Sequence, residues 1–380
     1  MTFKILTLDG GGMRGVLSAQ LLTHIEAVLL QQTGQRLHEY FDLIAGTSTG
    51  AILASGIAVG KGGEQLVQLY LKQGRRIFPY TGLGSYFSPK RLGLILQHGL
   101  SAPKFSNHGL QQVLREQFGQ RRLNELSDRG PKLLIPTYDT ATRRPVIFKN
   151  WEQNAYAQTR LWEAVLCSAS APTFFPSYPL NIQGHTHSLV DGGVGANNPA
   201  SCAIAAALNL GYPLKEIRLL SVGTGEGQRS YLYKDTRHWG LTQWAQRITD
   251  VLMDAPMDII SETVQQMVTL GNRYPNHYLR FQPQLSTSYL DQVLDIPLRE
   301  SLRPHLKGKR PLVKEDIDDA RSPNLYTLIA LATGYFKNHA LIYPVGYRQP
   351  KQMSLTEALQ VWISSSVLSE RDGFAMEEWR

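Results

Sequence analysis

The stretch Phe41-Asp42-Leu43-Ile44-Ala45-Gly46-Thr47-Ser48-Thr49-Gly50-Ala51-Ile52-Leu53-Ala54 holds the residue types that serine chemistry needs, at the spacing it needs. A strand-like apolar segment runs into Gly46-x-Ser48-x-Gly50 and then into a helix of small residues, the layout of a nucleophile elbow. Glycine on either side of the serine removes the Cβ atoms that would obstruct a sharp strand-to-helix turn. The hydroxyl then stands at a helix N-terminus, where free N–H groups and the dipole favour developing negative charge. A bare pentapeptide of this kind could be an ordinary turn; the flanking strand and helix argue for the elbow.

A serine nucleophile needs anion-binding donors and a proton acceptor. The turn Asp9-Gly10-Gly11-Gly12-Met13-Arg14-Gly15 follows a strand and precedes a helix. Its backbone N–H groups at Gly10, Gly11 and Gly12, with the charge of Arg14, suit the oxyanion of a tetrahedral intermediate. Gly10-x-Gly12-x-x-Gly15 also matches the dinucleotide fingerprint, but Glu39 and Asp42 precede the second strand instead of ending it, so the expected ribose-binding acid is missing. For the acceptor, Asp191 directly follows a strand and is flanked by Gly192 and Gly193, which allow close approach to Ser48. With a reference pKa of about 3.9, an aspartate serves as base only if burial raises its basicity. Asp9 is a competing carboxylate, better suited to tying down its own loop. His185 and His187 are the nearest histidine candidates, and they read as part of an exposed hairpin.

These three turns meet only if a sheet brings them to one edge. Strands at Lys4 to Leu8, Leu43 to Ala45 and Ile217 to Val222 alternate with helices at Val16 to Leu30 and after the elbow through Val59, which predicts a mainly parallel sheet covered on both faces. In such a sheet the turns share the carboxyl edge. Lys132 to Asp139 and Arg144 to Lys149 read as a strand pair turning at Thr140-Ala141-Thr142-Arg143. A helix at Leu161 to Ser168 stops at Pro172 and Pro176, and a strand at Ser188 to Val190 leads to Asp191. Residues 63–130 read as a looser helical, lid-like insertion. Within it, Arg75 to Phe87 mixes arginines and aromatics that could meet a membrane surface. The expected division is a catalytic α/β core over 1–225 and a mainly helical region, 226–380, packed on it.

The chain has 380 residues, 42% hydrophobic and 18% charged, an ordinary globular composition that can bury a sizeable core. The absence of an apolar run of about 18 residues argues against a membrane-spanning helix. No basic-then-apolar leader is evident, so the expected location is cytoplasmic, with peripheral membrane contact compatible with the net charge of +8. The two cysteines, Cys167 and Cys202, lie in apolar or small-residue runs and read as unbridged thiols of a reducing compartment.

In order along the chain, Asp9 to Gly15, Gly46 to Gly50, Ser168-Ala169-Ser170-Ala171-Pro172-Thr173-Phe174-Phe175-Pro176 and Asp191-Gly192-Gly193-Val194-Gly195-Ala196-Asn197-Asn198-Pro199 resemble the motifs of the patatin-like phospholipase family. The resemblance spans about 4–225 and thins beyond. It implies a three-layer α/β/α fold, a patatin-like variant of the α/β-hydrolase architecture. It also implies a Ser48–Asp191 dyad, an oxyanion site at Gly10 to Gly12 with Arg14, and an acyl-enzyme. The substrates implied are fatty-acyl esters of membrane glycerolipids, cleaved in the phospholipase A, lysophospholipase or galactolipase manner without metal or dissociable cofactor; nucleic acid is not an expected partner. Two alternatives follow: a phospholipase effector of bacterial defence switched on by a cyclic nucleotide, and a dinucleotide-binding oxidoreductase using Gly10 to Gly15.

Overall fold

A computed structural model of the chain describes residues 2–80, 89–99, 102–126, 130–228, 230–270, 277–343 and 351–371. Strands β1 (Phe3–Leu8), β2 (Leu43–Gly46), β3 (Lys132–Asp139), β4 (Arg144–Lys149), β5 (Tyr178–Ile182), β6 (His185–Asp191) and β7 (Ile217–Val222) build most of the central sheet. Beyond them lie β8 (Glu226–Gly227), β9 (Tyr278–Phe281) and β10 (Gln284–Leu285), of which β9 joins the central sheet and β8 pairs with β10. Among the described residues the sheet order is β5-β6-β3-β2-β1-β7-β9, with β4 also on β3. The pairs β3·β2, β2·β1, β1·β7 and β7·β9 are parallel; β4 and β6 run antiparallel to β3.

Alternation along the central strands divides the apolar residues between two layers, as expected of a sheet buried on both faces. Leu6, Leu8, Ile44, Leu133, Ile135 and Leu220 face the larger core, with helices Gly15–Thr33, Thr49–Ala58, Gly63–Ile77 and Leu161–Ser168. Ile5, Leu43, Ala45, Leu134 and Leu219 face the smaller one, under helices Ala200–Asn209 and Leu241–Leu270. The architecture is thus a three-layer α/β/α sandwich around a mostly parallel sheet.

Two features add detail to the expected mainly parallel sheet and to a core closing near residue 225. First, the strand carrying Asp191 runs antiparallel to its neighbour, because the β5–β6 hairpin reverses the chain at Gln183 and Gly184. Asp191 pairs with Thr137 on β3, while Ala45 at the end of β2 pairs with Leu134, so Asp191 enters from beyond the carboxyl edge and stops level with the residues just after β2. Second, β9 extends the parallel sheet from within the C-terminal region. The helix Leu355–Arg371 also packs inward: Trp362 is fully buried near Tyr40 and Phe41, and Arg218 Nη1 donates to its carbonyl at 2.6 Å.

Within 63–130, helices Gly63–Ile77 and His108–Phe118 bury Leu66, Leu69, Tyr70, Leu110, Val113 and Leu114, so this part is packed core. Arg76 is paired with Glu116 at 2.6 Å. Residues 81–87 of the expected arginine and aromatic patch lie outside the described residues. Cys167 and Cys202 are both free thiols.

Candidate active site

β2 delivers the chain into a turn at which Ser48 adopts φ 56° and ψ −119°, and helix Thr49–Ala58 starts at the next residue. A side chain on a backbone turned this way is thrust out of the sheet, and surrounding structure must hold it there. Close packing explains both elbow glycines: a Cβ on Gly46 would stand 2.1 Å from Gly50 O, and one on Gly50 the same distance from Leu8 O. The Ser48 N–H donates to Ser168 Oγ at 3.0 Å, and Ser168 Oγ donates to Pro136 O at 2.6 Å, fixing the elbow to β3. Thr47 Oγ1 donates to Ala196 O at 2.6 Å, fixing it to the loop after Asp191.

Ser48 Oγ donates to Asp191 Oδ2 at 2.5 Å, and both residues are buried. The other carboxyl oxygen of Asp191 accepts from the Gly193 N–H at 2.7 Å, which sets the plane of the group. Burial lifts the Asp191 pKa to about 7, against the pull of the Ser48 and Gly193 hydrogen bonds. Asp9, in contrast, is engaged elsewhere. Its Oδ2 accepts from Arg280 Nη2 at 2.6 Å, while Arg280 Nη1 donates to Ser221 Oγ at 2.6 Å. His187 Nδ1 lies 2.8 Å from Asp139 Oδ2, four residues up β6 from Asp191, and His185 is exposed on the same hairpin. Neither histidine lines the cavity that holds Ser48.

The three glycines of the first turn are not equivalent. Gly10 N donates to Asn197 O at 3.0 Å, and its carbonyl accepts from Thr224 Oγ1 at 2.8 Å, so the amide expected to serve an oxyanion is already taken. Met13 N donates to Ile317 O at 2.7 Å. The amides of Gly11 and Gly12 have no acceptor among the described residues, and both residues line the cavity with Ser48, Asp191 and the buried Arg14. Gly12 has φ 57°, and a Cβ there would lie 2.2 Å from Ile317 O, which restricts the position to glycine.

The cavity encloses about 600 Å³. Most of its wall is apolar, with Ile52, Ile77, Phe78, Leu110, Phe174 and Phe175, and Glu315, Asp316 and Asp318 also line it. Its size and lining suit a long apolar ligand with one reactive polar group.

Ser168, Asn197, Thr224 and Arg280 were not evident as site residues in the sequence. Ser168 and Asn197 sit inside the quoted motifs, but the hydrogen bonds that tie them to Ser48 and to Gly10 join positions 120 or more residues apart. Arg280 lies in a strand with no motif around it, 271 positions from Asp9.

The family model of patatin-like phospholipases matches residues 6–204. Patatin-like protein 2 of Arabidopsis thaliana is 28% identical over 362 residues, covering 85% of this chain and 86% of its own. Patatin-like protein 1 of the same plant is 31% identical over 294 residues, 67% of this chain and 68% of its own. Patatin-T5 of Solanum tuberosum is 28% identical over 326 residues, 77% and 78% respectively. Among solved structures, human GIVD cytosolic phospholipase A2 aligns with a TM-score of 0.49 at 11% identity, over 96% of this chain and 60% of that one. The match over more than half of the chain, in the segment that carries all three glycine turns, shows that the chain belongs to the patatin-like phospholipase family.

Proposed function

We propose that this chain is a serine lipid acyl hydrolase that cleaves fatty-acyl esters of membrane glycerolipids. The observation that carries the reading is the 2.5 Å hydrogen bond from Ser48 Oγ to Asp191 Oδ2 in a cavity whose lining is mainly apolar. Ser48 Oγ attacks the acyl carbonyl carbon as its proton passes to Asp191. The carbonyl oxygen gains the electron pair and is received by the Gly11 and Gly12 amides, with Arg14 alongside. Collapse of this intermediate expels the alcohol, which takes the proton from Asp191, and leaves the acyl group on Ser48. Water, deprotonated by Asp191, then attacks the acyl-enzyme, releasing the fatty acid and restoring the serine.

Because one carboxylate replaces the usual imidazole, the weak base must be offset by well-placed oxyanion donors. Two rigidly held amides beside a buried arginine meet that need. Family membership supports a lipid ester as substrate, and the apolar walls suit an acyl chain. Products from a mixed membrane-lipid extract, identified by mass spectrometry, test the proposal: free fatty acid together with a deacylated lipid is expected from the parent and not from Ser48→Ala. Equal fatty-acid release by Ser48→Ala would overturn it.

A further inference from the structure

Outside the site, Tyr231–Trp244 forms an aromatic corner at the edge of the cavity. Tyr231 lines the cavity and meets Trp239 edge-on with ring centroids 5.1 Å apart; Trp239 in turn meets Trp244 at 5.2 Å. The corner is turned to solvent: Leu232 is 51% exposed, Tyr233 78% and Trp244 37%. Lys234 and Arg237 are exposed among them, and Asp235 is the one carboxylate of the stretch.

A run of tyrosine, tryptophan and leucine facing water is unfavourable unless something covers it. Tryptophan and tyrosine rings suit the boundary between headgroups and acyl chains, with an apolar body and a polar tip. Exposed lysine and arginine beside them add attraction to anionic headgroups. The corner is also continuous with the site. Helix Leu241–Leu270 begins within it, Val251 and Ala255 of that helix line the cavity, and Met257 accepts from Asn197 Nδ2 at 2.8 Å in the loop after Asp191. A molecule leaving a bilayer past Tyr231 would enter the space that Ser48 faces.

We propose that Tyr231–Trp244 is the surface by which this protein seats on a lipid bilayer, holding the cavity beside the headgroup layer. The assignment rests on the lipid-hydrolase reading for what passes through the surface, whereas the seating itself is tested by binding alone. The full chain carrying Ser48→Ala, which prevents turnover, is sedimented with vesicles of phosphatidylcholine and phosphatidylglycerol. Tyr233→Ser with Trp244→Ser in the same background should weaken vesicle binding about tenfold or more. With Ser48 intact, the same pair should lower hydrolysis of vesicle lipid to a similar degree while leaving a soluble short-chain acyl ester within about twofold. If the pair also disturbs the soluble reaction, Tyr233→Ser alone, at the most exposed ring, repeats the comparison. Unchanged vesicle binding overturns the proposal, and so does a variant that only dissociates a dimer of this chain. A parent protein that sediments with vesicles through these rings yet cleaves no ester would refute the hydrolase reading and leave the docking surface standing.

Discussion

At the end of β6, Asp191 carries a carboxyl whose pKa burial has raised to about 7, against a reference of about 3.9. That shift has two measurable consequences with opposite signs. For catalysis, the proposed base works only when ionised, so kcat/KM for a soluble acyl ester should rise through an apparent pKa near 7 and then level off. For stability, a carboxyl with a raised folded-state pKa favours the fold in its protonated form. Relative to a neutral residue, Asp191 costs nothing below its unfolded pKa; the cost grows as pH rises between the two pKa values and is complete above about 7. Asp191→Asn should therefore be more stable than the parent above neutral pH, by up to roughly 4 kcal/mol, with the difference closing toward pH 4. The same variant should lose acyl-ester turnover by on the order of 10⁴-fold. Thermal unfolding from pH 4 to 8 checks the stability claim, and a parent that outlasts Asp191→Asn at pH 8 contradicts it.

Between residue and fold, the site depends on how one turn is clasped by its neighbours. Ser168 accepts from Ser48 N and donates to Pro136 O, so Ser168→Ala removes a buried hydrogen-bond partner from both backbone groups. A loss of about 1 to 3 kcal/mol in denaturant unfolding is expected, together with a fall in kcat from a displaced Ser48; unaltered stability and kcat would show that the clasp is dispensable. Gly50→Ala should be harsher, because the added methyl would meet Leu8 O at 2.1 Å and neither backbone segment can retreat. Soluble, folded and active Gly50→Ala protein would count against the elbow as described.

The elbow was legible in the sequence because its chemistry is local: glycine spacing, a preceding apolar strand and a following small-residue helix are all written within a few residues. Asp191 was legible for the same reason. The direction of its strand was not, since β6 is reversed by a hairpin whose pairing joins distant segments. Nor could sequence separate Gly10 from Gly11 and Gly12. Three adjacent glycines look alike until Asn197 O is seen to occupy the first amide.

On the scale of the whole molecule, the C-terminal region takes part in holding the end of the sheet that carries the candidate site. Arg280, on β9, reaches across β7 to Asp9, which precedes the glycine turn and has no exposed surface. Removing the guanidinium would strand a buried carboxylate, so Arg280→Met should destabilise the protein by about 3 to 5 kcal/mol. A chain ending at residue 225 lacks β9 and Arg280 altogether and should fail to give a cooperative unfolding transition. Cooperative unfolding and retained esterase activity in that truncated chain would show an independent N-terminal unit instead. This dependence was hidden from a linear reading because an ion pair spanning 271 positions leaves no periodic or motif signal at either end.

In the proposed mechanism Ser48 becomes covalently acylated with Asp191 as its base. Rapid quenching of the protein with a chromogenic acyl ester, followed by intact-mass and peptide mass spectrometry, measures this directly. One acyl group per chain is expected, on the peptide containing Ser48, absent from Ser48→Ala and formed far more slowly in Asp191→Asn. An acyl group on another residue, or full hydrolysis by Ser48→Ala, would contradict it.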